Sequence, residues 1–195
     1  PLTFVVAGIR AFINRTAQFD GSENAGFQIF TERFLAPMPQ NECDFMINDI
    51  ADQMGIRFTP QALDTIYKES GGHPFLARQL CSLAWSNLPR SRQSSEILTM
   101  EKEAILDAAY AFIDDGRAAN LREIYQTRLT PPEQDIVCRL AAQNAAQPVQ
   151  SGERQIFNDL KDRHILQRDA QDHYSLTFGL LRRWIRAYIL ELDEE

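Results

Sequence analysis

The chain has no apolar run long enough to cross a bilayer, which takes about 18 or more consecutive residues, so a membrane span is excluded. It shows no basic leader followed by a small-residue cleavage site, so no secretory signal is read. Cysteine is scarce. Cys43, Cys81 and Cys138 lie far apart on segments of helical period, a pattern of buried reduced thiols rather than a disulfide framework. Histidine is as sparse: His73, His164 and His173 have no metal-ligand spacing, and no metal site is expected. No nucleophile–base pair stands out, so no catalytic residue is expected. Positive charge is also in deficit. The net charge is −7, which argues against broad nonspecific affinity for nucleic acid. Together these absences point to a cytoplasmic protein with no membrane partner.

The chain does have the composition of a folded domain, with 44% apolar and 24% charged residues. It begins on "LTFVVAG", a β-branched apolar run closed by glycine, the pattern of a strand buried on both faces of a parallel sheet. Such a strand needs neighbours, yet the next candidate is only the short "ERFLAPM" at Glu32–Met38. With a first residue that is not Met, the expectation is a piece of a larger α/β protein; a two-stranded pairing on a helical domain is the alternative. Residues 14–29 read as a long polar loop.

From Asn41 to Phe112 the period is helical. Asn41 is expected to cap a first helix with Ile47, Ile50 and Met54 inward, ending at Gly55. Thr59 and Pro60 start a second, which Gly71 stops, and Pro74 opens a third with Leu76, Leu80 and Leu83 on its apolar face. Thr99 is expected to cap a fourth, carrying Ile105, Ala109 and Phe112 and ending at Gly116. A further unit begins near Leu121. "LTPPEQDIVCRLAAQ" carries a capping box, Thr130 with Glu133, and a shorter helix follows from Ser151. A hairpin at Ile165–Arg168 and Tyr174–Thr177 comes next, then an amphipathic helix with Leu181, Trp184, Ile185, Tyr188 and Leu192 on one side. This is the element order of a winged helix-turn-helix.

"ESGGHPFLARQL" (69–80) admits two readings: a local helix start, or a backbone shaped to approach a ligand. The first explains Gly71 and Pro74 but leaves Gly72 without a reason. Taken in order, "FVVAGIR", "FLAPMPQNE", "SGGHPFLARQL" and "LTPPEQDIVCRLA" resemble the C-terminal part of AAA+-related signal-transduction ATPases, the STAND class, in their bacterial and archaeal AAA-like form. The resemblance covers most of the chain. It implies a mainly α fold: the remnant of an α/β P-loop NTPase core (1–39), a four-helix lid (40–118) and a winged-helix domain (119–195). Arg10 falls where this class often has an arginine at the end of the sensor-1 strand, facing the terminal phosphate; an ordinary surface arginine is the alternative. Gly72, His73 and Pro74 correspond to the lid motif whose proline packs on adenine. ATP or ADP with Mg²⁺ is expected in the intact parent, an ATPase, and none bound to this piece. No G-x-x-x-x-G-K-[ST] loop and no strand ending in paired acids is present, so the segment itself is not expected to hydrolyse ATP. The implied partners are the missing N-terminal P-loop domain and attached effector or sensor domains.

DNA is the alternative partner. Arg154, Lys161 and Arg163 on the helix at Gly152–Arg163, with Arg168 on the wing, could meet phosphates. Residues 151–190 hold seven Lys/Arg against five Asp/Glu, while Glu153, Asp159, Asp162, Asp169 and Asp172 on the same elements would repel a duplex. Arg182, Arg183 and Arg186 are expected on the solvated face of the last helix. A relaying or inhibiting role for this module is the preferred reading over initiator- or transcription-type DNA binding.

Overall fold

The computed structural model describes residues 17–19, 21–25, 29, 35–89, 97–114, 118–143 and 145–192. The strand expected in "TFVVAG", Arg10 and Gly116 lie outside them. Packing divides the chain into two units, Pro1–Leu35 and Ala36–Glu195. In the first, β1 (Gln18–Phe19) and β2 (Ser22–Glu23) pair antiparallel around Gly21 (φ 79°), a tight hairpin within the segment read as a loop.

The second unit is mainly helical. After residues 36–39, which form no strand although 36–38 were expected in one, α1 spans Gln40–Gln53. Its cap residue is Pro39, not Asn41, and no side chain bonds the helix start. Its buried stripe is Cys43, Ile47 and Ala51, one ridge over from the expected face; Ile50 and Met54 are 37% and 51% exposed. Gly55, at φ 69°, ends it as expected. β3 (Ile56–Phe58) and β4 (Leu98–Met100) then form a parallel pair that helical periodicity concealed. Three-residue strands are too short to impose their own period. Thr99 sits in β4 opposite Arg57 and so cannot cap the next helix.

The starts of α2 and α3 agree with the sequence. α2 (Pro60–Ser70) begins with the Thr59 hydroxyl accepting from the Ala62 N–H at 3.3 Å and ends at Gly71 in the left-handed region. α3 (Pro74–Ser86) buries Leu76, Leu80 and Leu83, and α4 (Lys102–Asp114) buries Ile105, Ala109 and Phe112. A short α5 (Ala119–Glu123) widens into a π-helical turn at Ile124–Arg128.

α6 (Pro131–Ala142) starts with the expected capping box, the Thr130 N–H donating to Glu133 at 2.7 Å. β5 (Gln147–Pro148) was not foreseen. Gly152, at φ 87°, holds a turn over 151–153, so α7 runs only over Arg154–Asp162. β6 (Leu166–Arg168) and β7 (His173–Leu176) form the expected hairpin, and β5 adds to β7, giving an antiparallel sheet of order β5–β7–β6. α8 (Gly179–Tyr188) buries Leu180, Leu181, Trp184 and Ile185, whereas Tyr188 and Leu192 are exposed. α8 packs on α6 and also on α2, α4 and α5, so one apolar core runs through residues 36–192. The cysteines are free, and burial pushes the Cys43 thiol up to about 11 and Cys81 up to about 12.

Candidate functional site

The Glu69–Phe75 turn is the meeting point of three pieces of the second unit. Gly71 and Gly72 are both left-handed, at φ 60° and 73°. The Gly71 N–H bonds Tyr67 O at 2.8 Å, the Gly72 N–H bonds the Ser70 hydroxyl at 3.3 Å, and the Gly72 carbonyl accepts from the Met38 N–H at 2.9 Å. A β-carbon on Gly72 would stand 2.4 Å from the Met38 carbonyl oxygen, and one on Gly71 would stand 2.5 Å from the Phe178 ring and 2.6 Å from the Thr177 carbonyl oxygen. Gly72, which the helix-start reading left unexplained, therefore has a neighbour inside the molecule: the chain entering α1. Both glycines are buried, while His73, Pro74 and Phe75 are exposed at the start of α3. His73 is the cap residue without a side-chain bond, and its ring meets Phe75 edge-on at 6.5 Å. Partial burial, with a smaller contribution from the Arg128 charge, holds its imidazole below the ordinary histidine range, against a bond to its own backbone.

Beneath the turn, Glu69 receives a bidentate pair from Arg183 on α8. Arg183 Nε donates to Oε2 at 2.9 Å and Nη2 to Oε1 at 2.7 Å. The side chains are only 9% and 18% exposed, and the Tyr110 ring lies 4.8 Å from the guanidinium carbon. Gly179, the first residue of α8, lies so close that a β-carbon there would be 2.6 Å from Glu69 Oε2. The expected solvated face of α8 is thus corrected. Besides Arg183, Arg182 donates to the Gln143 carbonyl and Arg186 to the Ala141 and Ala142 carbonyls, both at 3.3 Å, so two arginines satisfy the C-terminal end of α6. Sequence reasoning did not single out Glu69 and Arg183 as a pair. The available signal was a carboxylate three residues after Ile66, on the buried side of α2, which demands a cation; three arginines of α8 could have answered.

Around this seam lies a cleft of about 580 Å³ whose walls include Lys68, Tyr110, Gln143, Thr177, Arg182 and Arg186. A second, apolar groove of about 650 Å³ runs beside Met38 and α1, with Phe45 74% exposed along it. Of the residues considered for DNA, Arg154 is exposed at the start of α7, Lys161 lies 3.8 Å from Asp162, and Arg168 pairs with Asp172. Arg163 turns inward to Glu133 of the capping box and to the Arg128 carbonyl at 3.0 Å. The structure does not bring these four together with His73 and Pro74. Among the described residues no three metal-ligating side chains cluster, and no helix is long and apolar enough to cross a membrane.

No protein-family model matches the sequence, and no curated protein matches it. Among solved structures, the chain is similar to RuvB R170A of Thermotoga maritima at a TM-score of 0.39 and 17% identity, over 88% of this chain. The chain spans 54% of that structure, and at this similarity no residue role is carried across.

Proposed function

We propose that this chain is the regulatory C-terminal part of an AAA+-related, STAND-like ATP switch. In this reading α1–α4 form a lid whose Gly72–His73–Pro74 edge meets the adenine of a nucleotide held by an upstream P-loop core. Arg10 faces the terminal phosphate, and Mg²⁺ accompanies the nucleotide in the parent. Residues 119–195 are a winged-helix module that relays the nucleotide state to attached effector or sensor domains, or restrains them.

The observation that carries the reading is the double engagement of one turn. The exposed face of His73–Pro74 is available to a ligand, and its buried face is in contact with Met38 on one side and with Thr177–Phe178 on the other. Because left-handed glycines with no clearance cannot shift independently of their neighbours, a displacement of this turn must move the winged-helix module with it. Differential contact in the ATP and ADP states would then bias the two arrangements.

The test is hydrogen–deuterium exchange on the full parent protein, with ADP and with a non-hydrolysable ATP analogue. Exchange at 71–74 and at 176–183 changes together between the two nucleotides, and Pro74→Ala weakens nucleotide binding severalfold. Nucleotide that leaves both segments unaltered, or undiminished binding by the variant, refutes the reading. The DNA alternative draws less support, since Arg163 and Arg168 already hold carboxylates. A mobility shift on duplex DNA with a steep salt slope would reverse that preference.

A further inference from the structure

We propose that the apolar groove along α1 docks a basic amphipathic helix of a partner protein. The proposal does not rest on the nucleotide reading, which concerns the exposed edge of His73 and Pro74.

α1 carries two apolar stripes. Cys43, Ile47 and Ala51 face the core and hold the helix against α2, α3 and β3. Phe45, Ile50 and Met54 meet solvent instead, with Phe45 74% exposed. A helix on the surface of a folded unit ordinarily keeps its outer side polar. Contiguous exposed apolar side chains rimmed by polar ones mark an interaction surface. Here Phe45, Met46 and Ile50, with Met38 from the preceding segment, wall a groove of about 650 Å³. Glu42, Phe45, Met46, Asp49 and Ile50 follow helical spacing, so the groove runs along the helix. Its walls are held before a partner arrives. The buried stripe fixes α1, and the Met38 N–H donates to the Gly72 carbonyl at 2.9 Å. Such preorganisation lowers the ordering cost of docking, and unbranched methionines adapt to the side chain that enters.

Charge selects the occupant. The polar groups of the lining are Asn41, Glu42 and Asp49, with no Lys or Arg. α1 as a whole has Glu42, Asp44, Asp49 and Asp52 and no basic residue. Among the described residues, no ion pair engages Glu42, Asp49 or Asp52. An acidic segment would be repelled, and an uncharged one would leave these carboxylates uncompensated. A helix with large apolar side chains on one side and Lys or Arg flanking them satisfies both the groove and its rim. A second copy of this chain would bring a further net charge of −7 against the same acids. With 14 residues, α1 is about 21 Å long at about 1.5 Å per residue, so the fitting segment has roughly three to four turns.

The experiment titrates the full chain, without nucleotide, with a synthetic amphipathic helix of leucine and lysine about four turns long. A leucine–glutamate peptide of the same pattern is the control. Two-dimensional NMR locates the contact, and anisotropy of a labelled peptide measures its affinity. The lysine peptide should give saturable shifts over residues 38–54, and the glutamate peptide none. Phe45→Ser, at an exposed position, should keep the native melting temperature and weaken binding about tenfold or more. Asp49→Lys should weaken it about three- to tenfold. Asp107→Lys, the same charge change at an exposed position of α4, should alter it less than about twofold. The proposal is overturned by the absence of saturable binding, by shifts centred outside α1, by equal losses at Asp49 and Asp107, or by full affinity in Phe45→Ser. Sedimentation of the chain alone as a dimer that Phe45→Ser dissolves would also overturn it, and would give the groove to a second copy. The nucleotide reading stands or falls separately, on hydrogen exchange at 71–74 and 176–183.

Discussion

The Glu69–Arg183 pair offers a direct measure of how firmly the two helical segments are joined. Two unit charges about 4 Å apart, at an effective dielectric near 20, attract by about 4 kcal/mol. Desolvation of both groups offsets part of that gain, and the low exposure of the two side chains makes the offset substantial. Removing one partner is worse than removing both, because the survivor stays buried without its counter-ion. Glu69→Gln is therefore expected to cost about 2–4 kcal/mol of unfolding free energy, and Arg183→Met a similar amount. The double variant should cost less than the sum of the two by about 1.5–3 kcal/mol. Urea denaturation followed by tryptophan fluorescence reads this well, because Trp184 lies on α8 between Tyr125 and Tyr188, next in the chain to Arg183. The native chain should show one transition for residues 36–192, since one core serves both segments. Additivity of the single variants within about 0.5 kcal/mol would refute the claim that this pair joins them.

Steric clearance at the turn makes a second, sharper expectation. Gly72→Ala combines a left-handed backbone with a β-carbon 2.4 Å from the Met38 carbonyl, whereas Gly152→Ala has the same backbone sign and open space around it. The former should cost at least about 2 kcal/mol and the latter about 1 kcal/mol in thermal or chemical denaturation. Equal losses would mean that the Met38 contact contributes nothing. The acid limb of stability should depend on Glu153. Its bidentate bond from Arg139 holds the carboxyl below its ordinary value of 4.5, so it contributes stability above that pH that is lost as pH falls through the folded value. Arg139→Met should flatten the stability profile below about pH 4.5 relative to the native chain; an unchanged slope there removes the assignment.

Local chemistry was legible wherever a few adjacent residues suffice to specify a conformation. Thr59–Pro60, Gly71, Pro74 and the Thr130–Glu133 box mark helix ends through bonds made within three or four residues, and each stands where the sequence put it. The hairpin at 166–176 was equally readable from alternation around a polar turn. Asn41 and Thr99 show the limit of the same rule. A capping side chain can sit at a plausible position and still be overridden, in one case by Pro39 and in the other by the pairing of β4 with β3.

What the sequence by itself determined, among the described residues, is therefore seven of the eight helices, their order and many of their ends, because these depend on contacts of short range along the chain; α5 and its π-helical turn were not read from it. Only the tertiary structure decided which of three arginines on α8 answers Glu69, which atom fills the space beside Gly72, and that the turn before α3 bears on α8 at all. Those outcomes join residues distant along the chain, 114 positions for Glu69 and Arg183 and 34 for Gly72 and Met38. The charges, sizes and φ preferences that make them possible are visible in the sequence, but the partner is chosen by how the apolar faces pack, and that choice has no signature within any local window.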